Sequence, residues 1–435
     1  MKILKKIIKN PSKRETTRRS FLKSTLAVGA GGTALGLFPG LATSAEAVSG
    51  TIRYSNWIGG PGDIEMWENI IAAFEAANPG TKIEYEPVAW TEYWTKLNTQ
   101  FASRSAPDII GFQMQSRTWG VEGRFEPLSE PFADLLDGIV DSQLKVTQAP
   151  IAGGMEQYGL PFRMVGASLF GNISSMKAAG IDYPSEDWSI DDFVAAAKRL
   201  TNADQWGTAV TGGPVDLNQA STFGARPTTL DYSTATFNSP EYTEFIKWQH
   251  DLIYKHKVAP APADLSTQKE PFSSGAVAMF PSASWMYPGY REIESFEWDI
   301  LPDPIGSHEP KTYAGPDNLG ITTDSKNKVL AIAFLRFVFT RASQTVIAST
   351  GMPVVIDYLL DESRIAKEAA SGPANYGYFV KGAVERGEGY AFAPPFFEIL
   401  GHIGDAYALI MNEESPDIDG ILANANARIQ QALDA

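Results

Sequence analysis

An α/β fold built on a mainly parallel, doubly wound sheet is what this sequence predicts, and three observations carry it. Short apolar runs alternate with amphipathic segments of helical period from residue 51 onward. Glycine, proline and asparagine punctuate the joins, and the chain beyond its leader is too long for one hydrophobic core. Residues 51–57 read as a first strand. Ile64, Trp67, Ile70, Ile71 and Phe74 then recur on one helix face, with Asp63 where an N-cap belongs and Asn78-Pro79-Gly80 at the end. Residues 82–88 make a second strand with Ile83 and Tyr85 on one side. Tyr93, Leu97 and Phe101 mark the next helix, and Ser105-Ala106-Pro107 breaks it before an apolar strand at 108–112. This β-α-β-α-β opening implies parallel pairing with the ligand-facing loops at the carboxyl ends of the strands.

The middle of the chain repeats that grammar. Ser189 with Asp192 three positions on forms a capping-box pattern, and Trp188 and Phe193 are spaced as a hydrophobic staple for a helix running to about Leu200. Ser239-Pro240 starts another helix, with Tyr242, Phe245, Ile246, Gln249 and Ile253 along one stripe. Residues 256–316 are dense in proline and aromatics, which suits loops and short strands. Ala331, Phe334, Leu335 and Val338 define a late helix and residues 421–433 the last. No internal repeat stands out.

The leader sets the compartment. Arg18-Arg19 followed by Phe21-Leu22, an Ala/Gly-rich apolar run at 26–41 and Ala45-Glu46-Ala47 have the order of a twin-arginine export signal over residues 1–47, with the mature chain expected to begin near Val48. There is no cysteine in 435 residues, so no disulfide, thiolate metal site or lipid-anchoring cysteine is expected. No later apolar run approaches the roughly 18 residues a membrane span needs. The segment after the leader carries 27 Lys/Arg and 49 Asp/Glu, a formal charge of −22. So acidic a surface argues against nucleic acid and against adhesion to anionic lipid.

Six segments, in order, carry a resemblance. Phe74-Glu75-Ala76-Ala77-Asn78-Pro79-Gly80, then Ala102-Ser103-Arg104-Ser105-Ala106-Pro107-Asp108, then Tyr158-Gly159-Leu160-Pro161-Phe162 with Leu169-Phe170-Gly171-Asn172 form its first half. Phe272-Ser273-Ser274-Gly275-Ala276-Val277-Ala278-Met279, Trp285, and Ser325-Lys326-Asn327-Lys328 with Gln344 complete it. Together they resemble the extracellular solute-binding proteins that serve ABC importers of sugars, the group that includes maltose-binding protein. Gly171 departs from the pattern, where a tyrosine is usual. The resemblance implies the two-lobed periplasmic-binding-protein fold, with a hinged cleft between the lobes. One lobe would take residues 51–162 and 316–350 and the other 163–315, with 351–435 a helical segment packing across both. It further implies a monomeric, periplasmic receptor that delivers a mono- or oligosaccharide to permease subunits, without cofactor or metal.

Sugar capture needs flat rings for C–H faces and planar polar groups for hydroxyls, because an unpaired buried hydroxyl costs about 1–3 kcal/mol. The loop after the first strand offers Asn56, Trp57, Gly59 and Asp63, and the resemblance places a binding loop there; the alternative is a glycine turn with Trp57 in the core. Gln113, Gln115 and Arg117 follow the third strand. Arg163 follows the crossing at Leu160-Pro161-Phe162, Trp285 is an aromatic platform candidate, and Asp317 and Asn318 lie where the chain returns to the first lobe. Thr211-Gly212-Gly213 and Phe392-Ala393-Pro394 are further loop candidates. Arg117 and Arg163 keep open an anionic or polyol ligand, such as a sugar acid or glycerophosphate. A secreted carbohydrate-active enzyme is the other alternative, since two catalytic carboxylates leave no sequence motif. The nucleophile-elbow, zinc-protease and phosphate-loop patterns are missing, and His250, His256, His308 and His402 lack metal spacing, so no enzymatic activity is expected.

Overall fold

The computed structural model describes residues 48–434 apart from 61, 114, 213–215, 230–232, 268–269 and 389–395, and leaves aside the side chains of 116, 117, 388, 396 and 397. The export leader and cleavage site expected from the sequence fall in residues 1–47, outside the described residues.

Strands β1 (Gly50–Ile58), β2 (Thr81–Ala89) and β3 (Ile109–Phe112) alternate with helices α1 (Asp63–Ala77) and α2 (Trp90–Ala102), and both β2 and β3 pair with β1 in parallel. Helix α1 starts from Gly62, which takes the left-handed conformation (φ 86°) that glycine alone adopts without steric cost. It buries Met66, Trp67, Ile70, Ile71 and Phe74, whereas Ile64 is 38% exposed. Two sequence expectations are corrected here: Met66 takes the place given to Ile64, and Asp63 is the first helical residue rather than the N-cap.

A short helix α3 (Ser116–Val121) and the hairpin β4 (Gln148–Ile151) and β5 (Gly154–Gln157) lead to β6 (Leu160–Asn172), a 13-residue strand buried along its whole length. The second half holds α4 (Ile190–Leu200), β7 (Trp206–Thr208), α5 (Leu217–Thr222), α6 (Pro240–Tyr254), β8 (Val277–Ala283), β9 (Trp298–Leu301) and β10 (Thr312–Ile321). The predicted capping box is present at α4, and the Trp188 and Phe193 rings meet at 5.7 Å. The stripe predicted on α6 is buried throughout.

Strands run in the order β2-β1-β3-β10-β6-β8-β7, with β9 also on β6. Pairing is parallel within β2-β1-β3 and between β7 and β8, and antiparallel where β10 joins β3 and β6 and where β8 and β9 join β6. Strand β6 gives its first half to β10 and its second to β8 and β9, so it links the β2-β1-β3-β10 part of the sheet to the β8-β7 part. Two apolar cores are formed among the described residues. One gathers Trp57, Tyr93, Leu97, Ile110, Phe112 and Phe125. The other gathers Phe193, Phe245, Met279 and Leu301.

After helix α7 (Lys328–Val338), β11 (Met352–Pro353) pairs with Met164 and Arg163 of β6. Helix α8 (Tyr376–Glu385) precedes β12 (Gly387–Glu388) on β10, and α9 (Phe396–Met411) and α10 (Ile418–Asp434) send Ile403, Tyr407, Ile410, Leu422 and Ile429 into the second core. Among the described residues no single helix is long and apolar enough to cross a membrane.

Candidate functional site

Parallel pairing delivers the ends of β1, β2 and β3 to one edge of the sheet, and most of the predicted residues lie there. Strand β1 is central and covered on both faces, so Asn56 and Trp57 are both buried, at 2% and 3% exposure. Asn56 Oδ1 accepts from the Trp57 amide at 2.9 Å, and a Cβ on Gly111 would lie 1.9 Å from that oxygen, so Gly111 is required for the fit. Trp57 is packed by the rings of Trp90, Tyr93 and Trp94 at 5.5–5.7 Å. It keeps no face for a ligand, and the expectation of a stacking platform there gives way to a core role. Trp90 and Trp94, which the sequence reading passed over, are only partly buried at the carboxyl end of β2. The signal was Trp90-Thr91-Glu92-Tyr93-Trp94, directly after a strand.

Asp63 turns back from the first turn of α1. Its Oδ2 accepts from the amides of Gly59 (2.8 Å) and Gly60 (3.2 Å), which fixes the exposed glycine loop. Arg163 of β6 then joins Asp63 to β10: Nη1 reaches Asp63 Oδ1 at 2.6 Å and Thr350 Oγ1 at 2.8 Å, while Nε reaches Asp317 Oδ2 at 2.7 Å. All three charged residues are 2% exposed. Burial opposes the guanidinium charge, but the two carboxylates outweigh it, so Arg163 holds its proton more tightly than a free arginine. Burial also raises the Asp317 carboxyl, an effect the Arg163 charge partly offsets and the Asp63 charge reinforces. Arg163 is thus committed to protein carboxylates, and one cation between two anions leaves no spare positive charge for an anionic ligand.

Gln113 and Asn318 lie beside this network. Gln113 Nε2 points to Asp317 Oδ1 at 3.4 Å, and Asn318 Nδ2 donates to the Gln113 carbonyl at 2.6 Å. Both partners are acceptors only, which fixes which amide atom is nitrogen. The opposite atoms, Gln113 Oε1 and Asn318 Oδ1, are buried without a donor. Gln115 serves the loop itself, its Oε1 accepting from the Gln113 amide at 3.0 Å. The Arg117 side chain, Gly213 and residues 392–394 lie outside the described residues.

Trp285 follows β8 and keeps part of its surface open. Its carbonyl would be 2.8 Å from a Cβ on Gly60, so the glycine turn after β1 meets Trp285 after β8 at a point where only glycine fits. Asp63, Arg163, Asp317, Gln113 and Asn318 thus form one connected group, joined through Gly60 to Trp285, while Asn56 and Trp57 support it from the core. Among the described residues no group of three or more His, Asp or Glu is placed to hold a metal ion.

Known proteins share this architecture. The structure superposes on an ABC substrate-binding protein of Listeria monocytogenes in complex with cycloalternan, with a TM-score of 0.78 at 22% identity over 89% of this chain and 99% of that one. The maltotriose-binding protein of Thermus thermophilus gives a TM-score of 0.72 at 20% identity over 88% and 99%. In sequence, an uncharacterized lipoprotein of Streptomyces antibioticus is 24% identical over 305 residues, spanning about two thirds (66%) of each chain. The arabinooligosaccharide-binding protein of Halalkalibacterium halodurans is 23% identical over 309 residues, 67% of this chain and 68% of that protein. The pattern that defines bacterial extracellular solute-binding proteins matches residues 62–345, from the helix that Asp63 opens to the one that carries Gln344, and the chain belongs to that family.

Proposed function

We propose that this chain is the substrate-binding component of an ABC importer, taking a neutral mono- or oligosaccharide outside the cytoplasm by closure of its lobes and delivering it to the permease. The observation that carries the ligand class is the pair of orphaned oxygens on Gln113 and Asn318 beside a fully committed Arg163. Only a donor satisfies them. Sugar hydroxyls donate, and the ionised group that sets a sugar acid or a glycerophosphate apart only accepts, so it gains nothing from these oxygens and meets an Arg163 that is already paired. Trp90, Trp94 and Trp285 supply flat surfaces for C–H faces. The relatives that bind cycloalternan, maltotriose and arabinooligosaccharides support the same class. Export by the twin-arginine leader, a monomeric state, and lobes of 51–162 with 316–350 and of 163–315, followed by the 351–435 segment, complete the proposal.

Thermal-shift and calorimetric titration of the mature chain tests it, using maltotriose, arabinotriose and mannotriose against glucuronate and glycerol 3-phosphate. A neutral saccharide is expected to bind with an affinity that changes little between about 0.01 and 1 M salt, over which the Debye length falls from about 30 to 3 Å. Binding of the anions alone, weakening with salt, would refute the ligand class. Release of shorter sugars on long incubation would point to an enzyme.

A further inference from the structure

The sequence contains a five-residue repeat. Gly59-Gly60-Pro61-Gly62-Asp63 in the first lobe and Gly212-Gly213-Pro214-Val215-Asp216 in the second share the pattern G-G-P-x-D, each following a strand and each leading into a helix. The aspartates make the same bond. Gly59 N donates to Asp63 Oδ2 at 2.8 Å, and Gly212 N donates to Asp216 Oδ2 at 2.8 Å. Asp216 is 2% exposed and also accepts from Thr211 Oγ1 at 2.6 Å and Gln249 Nε2 at 3.2 Å.

Gly59 and Gly60 on one side and Gly212 on the other are linked through these aspartates and their neighbours to β6 and β10. In the first lobe the link is Asp63 to Arg163 on β6 and on to Asp317 on β10. In the second it is Asn218, two residues after Asp216: Nδ2 donates to the Ala167 carbonyl of β6 at 3.1 Å, and Oδ1 accepts from the Tyr313 amide of β10 at 2.6 Å. Val165 and Gly315 face each other in the β6-β10 register. Arg163 and Asp317 lie two residues to one side of that pair and Ala167 and Tyr313 two residues to the other, so the two fastenings are related by an approximate two-fold axis through the crossing.

We propose that Asp216 and Asn218 are positioning residues matched to Asp63 and Arg163, the one set tying Gly212 and the other Gly59 and Gly60 to the crossing strands, so that the strands fix the orientation of the two lobes through both sets. A local cap would hold its loop and leave the hinge alone; a matched fastening on both sides makes each aspartate a determinant of the angle between lobes. The inference rests on the hinge-closure reading, and its test separates the two.

Because the chain has no cysteine, spin labels can be placed at Glu84→Cys and Lys198→Cys, exposed positions in the first and second lobes. The interlobe distance distribution is then measured by pulsed electron resonance in this labelled parent and with Asp63→Asn, Asp216→Asn or Asn218→Ala added. Each is expected to broaden the distribution at least twofold. A folded Asp216→Asn and Asn218→Ala that keep the parent distribution, with only faster amide exchange at Gly212, would overturn the inference. Should Asp216→Asn not fold, Asn218→Ala, which leaves the loop cap intact, decides alone. Addition of saturating maltotriose, arabinotriose and mannotriose to the labelled parent reports separately on closure: no shortening with any of them counts against the hinge-closure reading, while the variants still report on the fastening.

Discussion

Replacing Asp303 by asparagine should remove about 4 kcal/mol of pH dependence from the stability of this chain. The carboxyl group is 5% exposed. Burial, partly offset by the Arg386 charge and by the hydrogen bond from Asn218, pushes its pKa up to about 7. In an unfolded chain an aspartate titrates near 4. The folded state therefore binds this proton more tightly, so the contribution is full below pH about 4, falls as pH rises toward 7, and is constant above. A difference of about 3 at about 1.4 kcal/mol each gives roughly 4 kcal/mol. Asp216, Asp299 and Asp317 are also raised by burial and act with the same sign, so Asp303 supplies one share of a steeper total. An unfolding entropy of about 2.1 cal/mol/K per residue over about 390 residues amounts to roughly 0.8 kcal/mol/K, which converts 4 kcal/mol into about 5 °C. Calorimetric melting between pH 4.5 and 8 is the assay. The parent Tm should fall across that range, and that of Asp303→Asn should fall about 4 °C less, because part of the contribution is already lost at pH 4.5. Equal falls in the two proteins would refute the reasoning.

Arg163→Met strands Asp63 and Asp317 as uncompensated buried carboxylates and should cost about 3–5 kcal/mol, read as a lower melting temperature that partly recovers at acid pH. Trp57→Ala should lose about 3–5 kcal/mol of stability by emptying a packed site; Trp285→Ala should leave melting nearly unchanged, Trp90→Ala, whose ring packs on Trp57, should lower it by less than Trp57→Ala does, and both should weaken saccharide binding by about 1–3 kcal/mol. Calorimetry on all three checks this split, which a binding loss confined to Trp57→Ala would reverse. Replacing Arg18 and Arg19 together by lysine should retain the precursor in the cytoplasm, and fractionation followed by immunoblotting would detect normal export instead.

Local chemistry carried most of the fold into view. The Ser189-Asp192 box, the Ser239-Pro240 start and the buried stripe of α6 act over a few residues, where side-chain spacing and backbone hydrogen bonding are decided together. The site was legible only in part. Gln113, Arg163, Asp317 and Asn318 do meet, but Arg163 bonds partners 100 and 154 positions away in sequence, and no local pattern says that its charge is already spent. Trp57 misled because a central strand is covered on both faces, which removes the alternation that separates core from cleft. Trp90 and Trp94 were hidden by the opposite effect: the periodic face of α2 drew attention to Tyr93, Leu97 and Phe101 and away from the strand end in front of them.

The pairing of β3 with β10 also dictates the order in which this protein can be made. Asn318 faces Phe112 across that ladder, 206 positions later in the chain. A ribosome adding roughly 5–20 residues per second needs about 10–40 s to travel that distance, and throughout it the inner edge of β3 is an open row of amides and carbonyls. The N-terminal segment therefore leaves the ribosome as an unfinished sheet whose missing strand has yet to be synthesised, and a nascent chain halted before residue 312 exposes a template for pairing with its neighbours. Completion of the β2-β1-β3 sheet waits on translation of everything up to β10.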